Sequence, residues 1–218
     1  MTPRAAPALS LLLLAGCAVS PPPEYRPPAA APAQRAVPTA PAGTAVAEID
    51  ATREAVWKRI VERARGSGFG IEAADEQRGE VRLRYIGEPR NYLECGTLES
   101  KVVTAKGEQH FNFPASKAYQ RYQFQKDSVV YVIDRRMSVT ILATLRLESL
   151  SPSRTRASVR ASYQVTRDQS VTGGGRKAFA LTDTINFDGG ARATFPNAPT
   201  ACQATGTLER DALALAGR

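Results

Sequence analysis

Residues 137–147, MSVTILATLRL, alternate between apolar and polar side chains. Met137, Val139, Ile141, Ala143, Leu145 and Leu147 share one parity; the other parity is mostly Ser138, Thr140, Thr144 and Arg146. A two-residue period is that of a strand whose successive side chains face opposite ways. Ser-Pro-Ser-Arg at 151–154 supplies turn chemistry, and Ala157, Val159, Ala161, Tyr163 and Val165 then repeat the pattern. Arg156, Ser158, Arg160 and Ser162 occupy the opposite side. Two such runs joined by a short turn predict an antiparallel sheet with one wet and one dry face.

Other segments extend this sheet in both directions. Phe69–Ala74 and Glu80–Gly87 read as strands around a turn at Gln77-Arg78-Gly79. A further strand is expected over Cys95–Thr104, and another near Ala178–Phe187, after Gly173-Gly174-Gly175. Residues 52–65, TREAVWKRIVERAR, place Val56, Trp57, Ile60, Val61 and Ala64 on one stripe. That spacing predicts an amphipathic helix, capped by Asp50 or Thr52 and stopped by Gly66 and Gly68. Thr205–Ala216 spaces Leu208, Ala212 and Leu215 as a second helical face, with Thr205 or Thr207 as cap. The expected class is therefore α+β: an antiparallel sheet of about six strands with two helices on one face, a helix-grip layer.

The N-terminus carries a different signal. Arg4, an apolar run over Ala5–Leu14 and the small residues Ala15 and Gly16 read as a secretory signal peptide over 1–16. Leu14-Ala15-Gly16-Cys17 resembles the lipobox of bacterial lipoproteins. That resemblance implies cleavage before Cys17, acylation of its thiol, and anchoring in a membrane leaflet. Ala18 stands where an aspartate would imply inner-membrane retention, which favours the outer membrane. Between Cys17 and Thr44 lie Pro21, Pro22, Pro23, Pro27, Pro28, Pro32, Pro38 and Pro41 among many alanines. Such a segment cannot bury a core and reads as an extended tether. One domain over 45–218 is expected to follow.

With Cys17 assigned to lipid, Cys95 and Cys202 are the remaining thiols. In an oxidising compartment they suggest one disulfide closing a loop of roughly a hundred residues, worth about 4–5 kcal/mol. Two unpaired buried thiols are the alternative. One histidine and no third thiolate leave a metal site short of ligands.

The chain is expected to be non-catalytic and without a cofactor. His110 is its one histidine, Gly-x-Ser-x-Gly is missing, and Gly173–Ala178 lacks the spacing of a phosphate loop. The net charge of +8 fits anionic lipid or glycan; outside the cytoplasm nucleic acid is not an expected partner. The segment 101–136 reads as an aromatic and basic insertion. Phe111, Phe113, Tyr119, Tyr122, Lys117 and Arg121 are its candidate interaction surface, because aromatics among cations are what interfaces use. The alternative is an insertion packing its own aromatics on the sheet.

Tyr85-Ile86-Gly87-Glu88-Pro89, Tyr92-Leu93-Glu94-Cys95-Gly96 and the stretch Cys202–Glu209 resemble a pattern of small proteobacterial lipoproteins. The helix–strands–helix order is similar to domains of BamC-type lipoproteins, accessories of outer-membrane β-barrel assembly. Those carry two such domains; this chain has room for one. The resemblance implies an envelope accessory or scaffold with a protein partner. A lipid or apolar-ligand carrier and, third, a cell-wall hydrolase are the alternatives.

Overall fold

The computed structural model describes residues 43–196 and 200–217. The signal peptide, Cys17 and the tether up to residue 42 lie outside the described residues. The elements are β1 (Thr44–Ile49), α1 (Arg53–Ala64), β2 (Gly70–Asp75), β3 (Glu80–Gly87), β4 (Leu93–Glu94), β5 (Thr97–Thr104), β6 (Gly107–Pro114), β7 (Tyr119–Lys126), β8 (Val129–Ser151), β9 (Arg154–Gly173), β10 (Arg176–Asp188), β11 (Arg192–Thr194), β12 (Ala201–Ala204) and α2 (Thr207–Ala214). A single 3₁₀ turn spans Pro89–Asn91.

This corrects the α+β, helix-grip expectation. The domain is mostly antiparallel β, built on a seven-stranded sheet with three-stranded and two-stranded satellites. The helices span only 12 and 8 residues. Two strands dominate: β8 runs for 23 residues and β9 for 20. They pair from Tyr131↔Gly173 to Ser151↔Arg154. The partners on each outer side change along this ribbon. At its proximal end β1 pairs β9 and β3 pairs β8; at its distal end β10 and β7 take those places. The 137–147 alternation is thus the middle of a longer strand whose parity persists from Ile133 to Leu147.

Odd-numbered residues of β8 and β9 form the dry face. In the proximal half they meet Val56, Ile60 and Ala64 of α1 and Leu208 and Ala212 of α2 in one core. Thr52 caps α1, its Oγ1 accepting from the Ala55 amide at 3.3 Å. For α2 the cap is Gly206, in the left-handed region at φ +73°; Thr205 Oγ1 accepts from the Thr207 amide just outside it. Arg59 and Arg63 reach across to the end of α2. Arg59 donates to the Ala216 and Gly217 carbonyls at 3.0 and 2.8 Å, and Arg63 to Gly217 at 2.9 Å. The last carbonyls of a helix have no intrahelical donor, and cations suit the negative end of its dipole.

The strand expected over Cys95–Thr104 begins at Thr97 as β5, and Gly96, at φ +73°, stands between it and the short β4 that precedes Cys95. The aromatic and basic segment 101–136 is strand rather than loop: the β5–β6 hairpin, then β7 paired to the first residues of β8. Cys95 and Cys202 lie at disulfide distance, with sulfurs 2.10 Å apart.

β1 and β10 meet on the same flank of β9 at Gly43 and Gly189. The Gly189 amide donates to the Ala161 carbonyl at 2.8 Å. A Cβ on Gly189 would stand 2.5 Å from Glu209 Oε1 and 2.9 Å from the Gly43 Cα. Glu209 cannot yield easily, because it is buried and accepts from the Tyr163 hydroxyl at 2.9 Å. Burial, then the Glu209 carboxylate, pushes the Tyr163 hydroxyl pKa well up. Gly189→Ala is expected to cost about 1–3 kcal/mol through overpacking. Urea denaturation checks this, and a variant as stable as the parent would contradict the contact.

Candidate binding groove

The distal half of the dry face has no helix over it. The β5–β6 hairpin covers part of it, and Phe113, Tyr122, Ile133 and Val171 form a second core there. The Ser100 hydroxyl donates to the Gln123 carbonyl at 2.6 Å and the Val103 amide to Gln125 Oε1 at 2.8 Å, which ties β5 to β7.

Strand alternation separates the six candidate surface residues. Phe113 and Tyr122 are buried, their rings 5.3 Å apart, and Phe111 is half-buried against Tyr122 at 6.5 Å. Tyr119, Lys117 and Arg121 are exposed. Tyr119 donates to Asp134 at 2.8 Å under the Arg136 guanidinium, Arg121 lies 3.8 Å from Asp134, and Lys117 donates to Gln120 at 2.8 Å. His110 is exposed on β6 beside Glu108, whose carboxyl is held below its ordinary range by Lys101 first and then by His110. No group of three or more potential metal ligands occurs among the described residues.

Beside the second core the dry face opens into a groove of about 720 Å³. β5 forms one wall, the inner faces of β7–β10 the floor, and β11 and β12 the far side. Leu98, Tyr122, Phe124, Ile133 and Leu181 make it apolar. Phe124 and Leu181 remain 43% and 47% exposed although they point to the dry side, as does Phe179 further along β10. The groove thus exposes apolar surface of core parity, a feature of binding sites rather than of ordinary surface.

Its floor carries charge. Arg167 is 6% exposed, pairs with Asp183 through Nη2, and lies 4.5 Å over the Phe195 ring. Its Nε is buried and has no partner among the described residues. Arg135 is a diagonal neighbour, since Arg167 pairs with Met137 and Arg135 with Gln169 in the β8–β9 register. It is 1% exposed, and its donors reach the Ala115 carbonyl, the Lys117 carbonyl at 3.4 Å and Met137 Sδ at 2.7 Å. Among the described residues no carboxylate is paired with it. Burial, with Arg167 adding to it and Tyr122 opposing, lowers the Arg135 pKa to about 10, so it stays charged at neutral pH. Burial likewise raises the Tyr122 hydroxyl.

In the sequence Arg135 counts only as one of the cations of segment 101–136, and Arg167 is not singled out. The signal was available: 135 and 167 fall on the apolar parity of their strands, where a charge is out of register.

The chain matches no family model, and no curated protein or solved structure matches it. Nothing in these comparisons identifies a BamC-type lipoprotein.

Proposed function

We propose that the chain is a lipid-anchored, non-catalytic binding domain of the bacterial envelope. In this reading acylated Cys17 holds it at the outer membrane, facing the periplasm, and the distal groove is its working surface as an accessory or scaffold. The observation that carries the reading is the division of the dry face. The proximal half is closed by α1 and α2, while the distal half keeps an apolar groove over an ion pair of a buried arginine and a half-buried aspartate. Pockets of this size with apolar walls and a few convergent polar groups are the usual form of ligand sites. The Leu14-Ala15-Gly16-Cys17 lipobox supports the anchor.

Two experiments test the two parts. Cys17→Ser is expected to move the protein from the membrane to the soluble fraction of cells; unchanged fractionation would refute the anchor. A photocrosslinker at Leu181 is expected to give a discrete adduct in intact cells. One at Leu150, exposed on the opposite end of β8, is expected to give none. Equal labelling from both positions, or none from either, counts against the groove.

A further inference from the structure

The groove's chemistry restricts what can lie in it, and the restriction rests on the groove being the working surface. We infer that the occupant is a monoanionic amphiphile: one acyl chain ending in a carboxylate or phosphodiester head.

The apolar part follows from the walls. Leu98, Phe124 and Leu181 present side-chain surface that gains from burial against hydrocarbon. A volume of about 720 Å³ lies in the range of sites that enclose a single small ligand.

The charge follows from the floor. Arg167 and Asp183 cancel as a pair. Glu99 and Arg192, both exposed at the edge of the groove, add one charge of each sign. Arg135 is left over, buried beside Arg167 on the same face of the sheet and donating to carbonyls and a thioether rather than to an anion. Two buried arginines against one aspartate leave one positive charge in the sheet behind the groove, Arg167 lining the groove and Arg135 standing one register step behind it. Charge excess in a low-dielectric site is felt strongly by a bound group, and its sign favours a single negative charge over a neutral or cationic head. Tyr122 lies over this floor with its hydroxyl protonated, so it adds no negative charge.

Equilibrium dialysis of the full chain carrying Cys17→Ser tests this with three probes: palmitate, lysophosphatidylglycerol and neutral monopalmitoylglycerol, all below their micellar concentrations. At least one anion is expected to bind roughly tenfold more tightly than the neutral lipid, the effect of one charge in a partly screened groove. Preference for palmitate assigns the carboxylate head; preference for lysophosphatidylglycerol assigns the phosphodiester. Asp183→Asn removes the one aspartate and is expected to tighten anion binding roughly tenfold while leaving monopalmitoylglycerol unchanged. A purely structural ion pair predicts the reverse, a loss for every probe. Leu181→Glu, at an exposed position that does not threaten folding, is expected to weaken anion binding at least tenfold. The inference is overturned if the neutral lipid binds as well as the anions, if Asp183→Asn fails to tighten them, or if none of the three binds. Should none bind while the Leu181 crosslink persists, the groove remains the working surface and only its ligand class is refuted.

Discussion

Replacing both Cys95 and Cys202 by serine is expected to lower the unfolding free energy by about 4 kcal/mol. The residues are separated by 107 positions, and in the chain-entropy account a cross-link over a loop of that length removes about 4–5 kcal/mol of disorder from the unfolded ensemble. Its local setting points the same way. Cys202 lies on β12, which is joined to β4 by only two residue pairs, Gln203↔Glu94 and Ala204↔Leu93. A ladder so short, even with the Thr205 amide and hydroxyl donating to the Tyr92 carbonyl beside it, holds little on its own, so the covalent bond is a substantial tie between β12 and β4. Both cysteines are buried, at 4% and 0% exposure, and the hydroxyls of serine would meet the same apolar surroundings at some further cost. A domain of this size is expected to lose roughly 8–16 °C of Tm. The double variant is the right comparison because it leaves no free thiol. Urea denaturation of oxidised parent and double variant measures the difference, and a loss under about 1 kcal/mol would show that the loop is already restrained without the bond. Since Cys95, Gly96 and Thr97 border the groove, the same variant is expected to weaken palmitate binding.

Local period reveals some of this fold and long-range pairing decides the rest. Glu80–Gly87 is a strand in the structure as its alternation requires, and Thr52 caps a helix over Arg53–Ala64 as its stripe requires. The class nevertheless differs from the α+β expectation, because β8 and β9 run well beyond the stretches whose alternation marks them as strands. Val129–Arg136 reads VVYVIDRR, with charges at 134–136, and falls within the segment read as an aromatic and basic insertion. In the structure the parity simply continues through them, and Arg135 takes a dry position. β1 escaped for the opposite reason: TAVAEI is short, weakly alternating and preceded by prolines. Its place is fixed by pairing with Thr155–Arg160, more than a hundred residues away. The aromatic and basic segment divided in the same manner. Period two sends Tyr122 inward and Tyr119 and Arg121 outward, so residues adjacent in composition are not adjacent in space. The groove had no local signature at all. It arises where Thr97–Glu99, Leu181 and Asp183, Arg192 and Pro196, and Thr200 and Ala201 converge, and only the register of the long ribbon brings those residues together.

Arg135→Ala is expected to destabilise the domain by about 3–5 kcal/mol, while Arg135→Met costs about 1–2 kcal/mol. Alanine leaves a cavity where the buried side chain lay against Ala115 and Met137, and strips the Ala115 and Lys117 carbonyls of their donor. Methionine refills most of that volume and leaves only the unmade hydrogen bonds, offset in part because a buried cation no longer has to be desolvated. The pair of variants separates two roles that a single substitution would confuse. As a clamp, Arg135 holds the Ala115–Lys117 turn between β6 and β7, and losing the clamp lowers stability without regard to ligand charge. As the surplus cation beneath the groove, its loss leaves Arg167 and Asp183 as a neutral floor. Arg135→Met is then expected to abolish the preference for palmitate over monopalmitoylglycerol, the opposite of the gain from Asp183→Asn. The two substitutions change the same charge balance in opposite directions, from one positive to none and from one positive to two. Affinities that rank Asp183→Asn above the parent and the parent above Arg135→Met for the anion, with the neutral lipid flat across all three, cannot come from loosened packing. If Arg135→Met keeps the anion preference intact, Arg135 is a clamp alone and the selectivity of the groove has another origin.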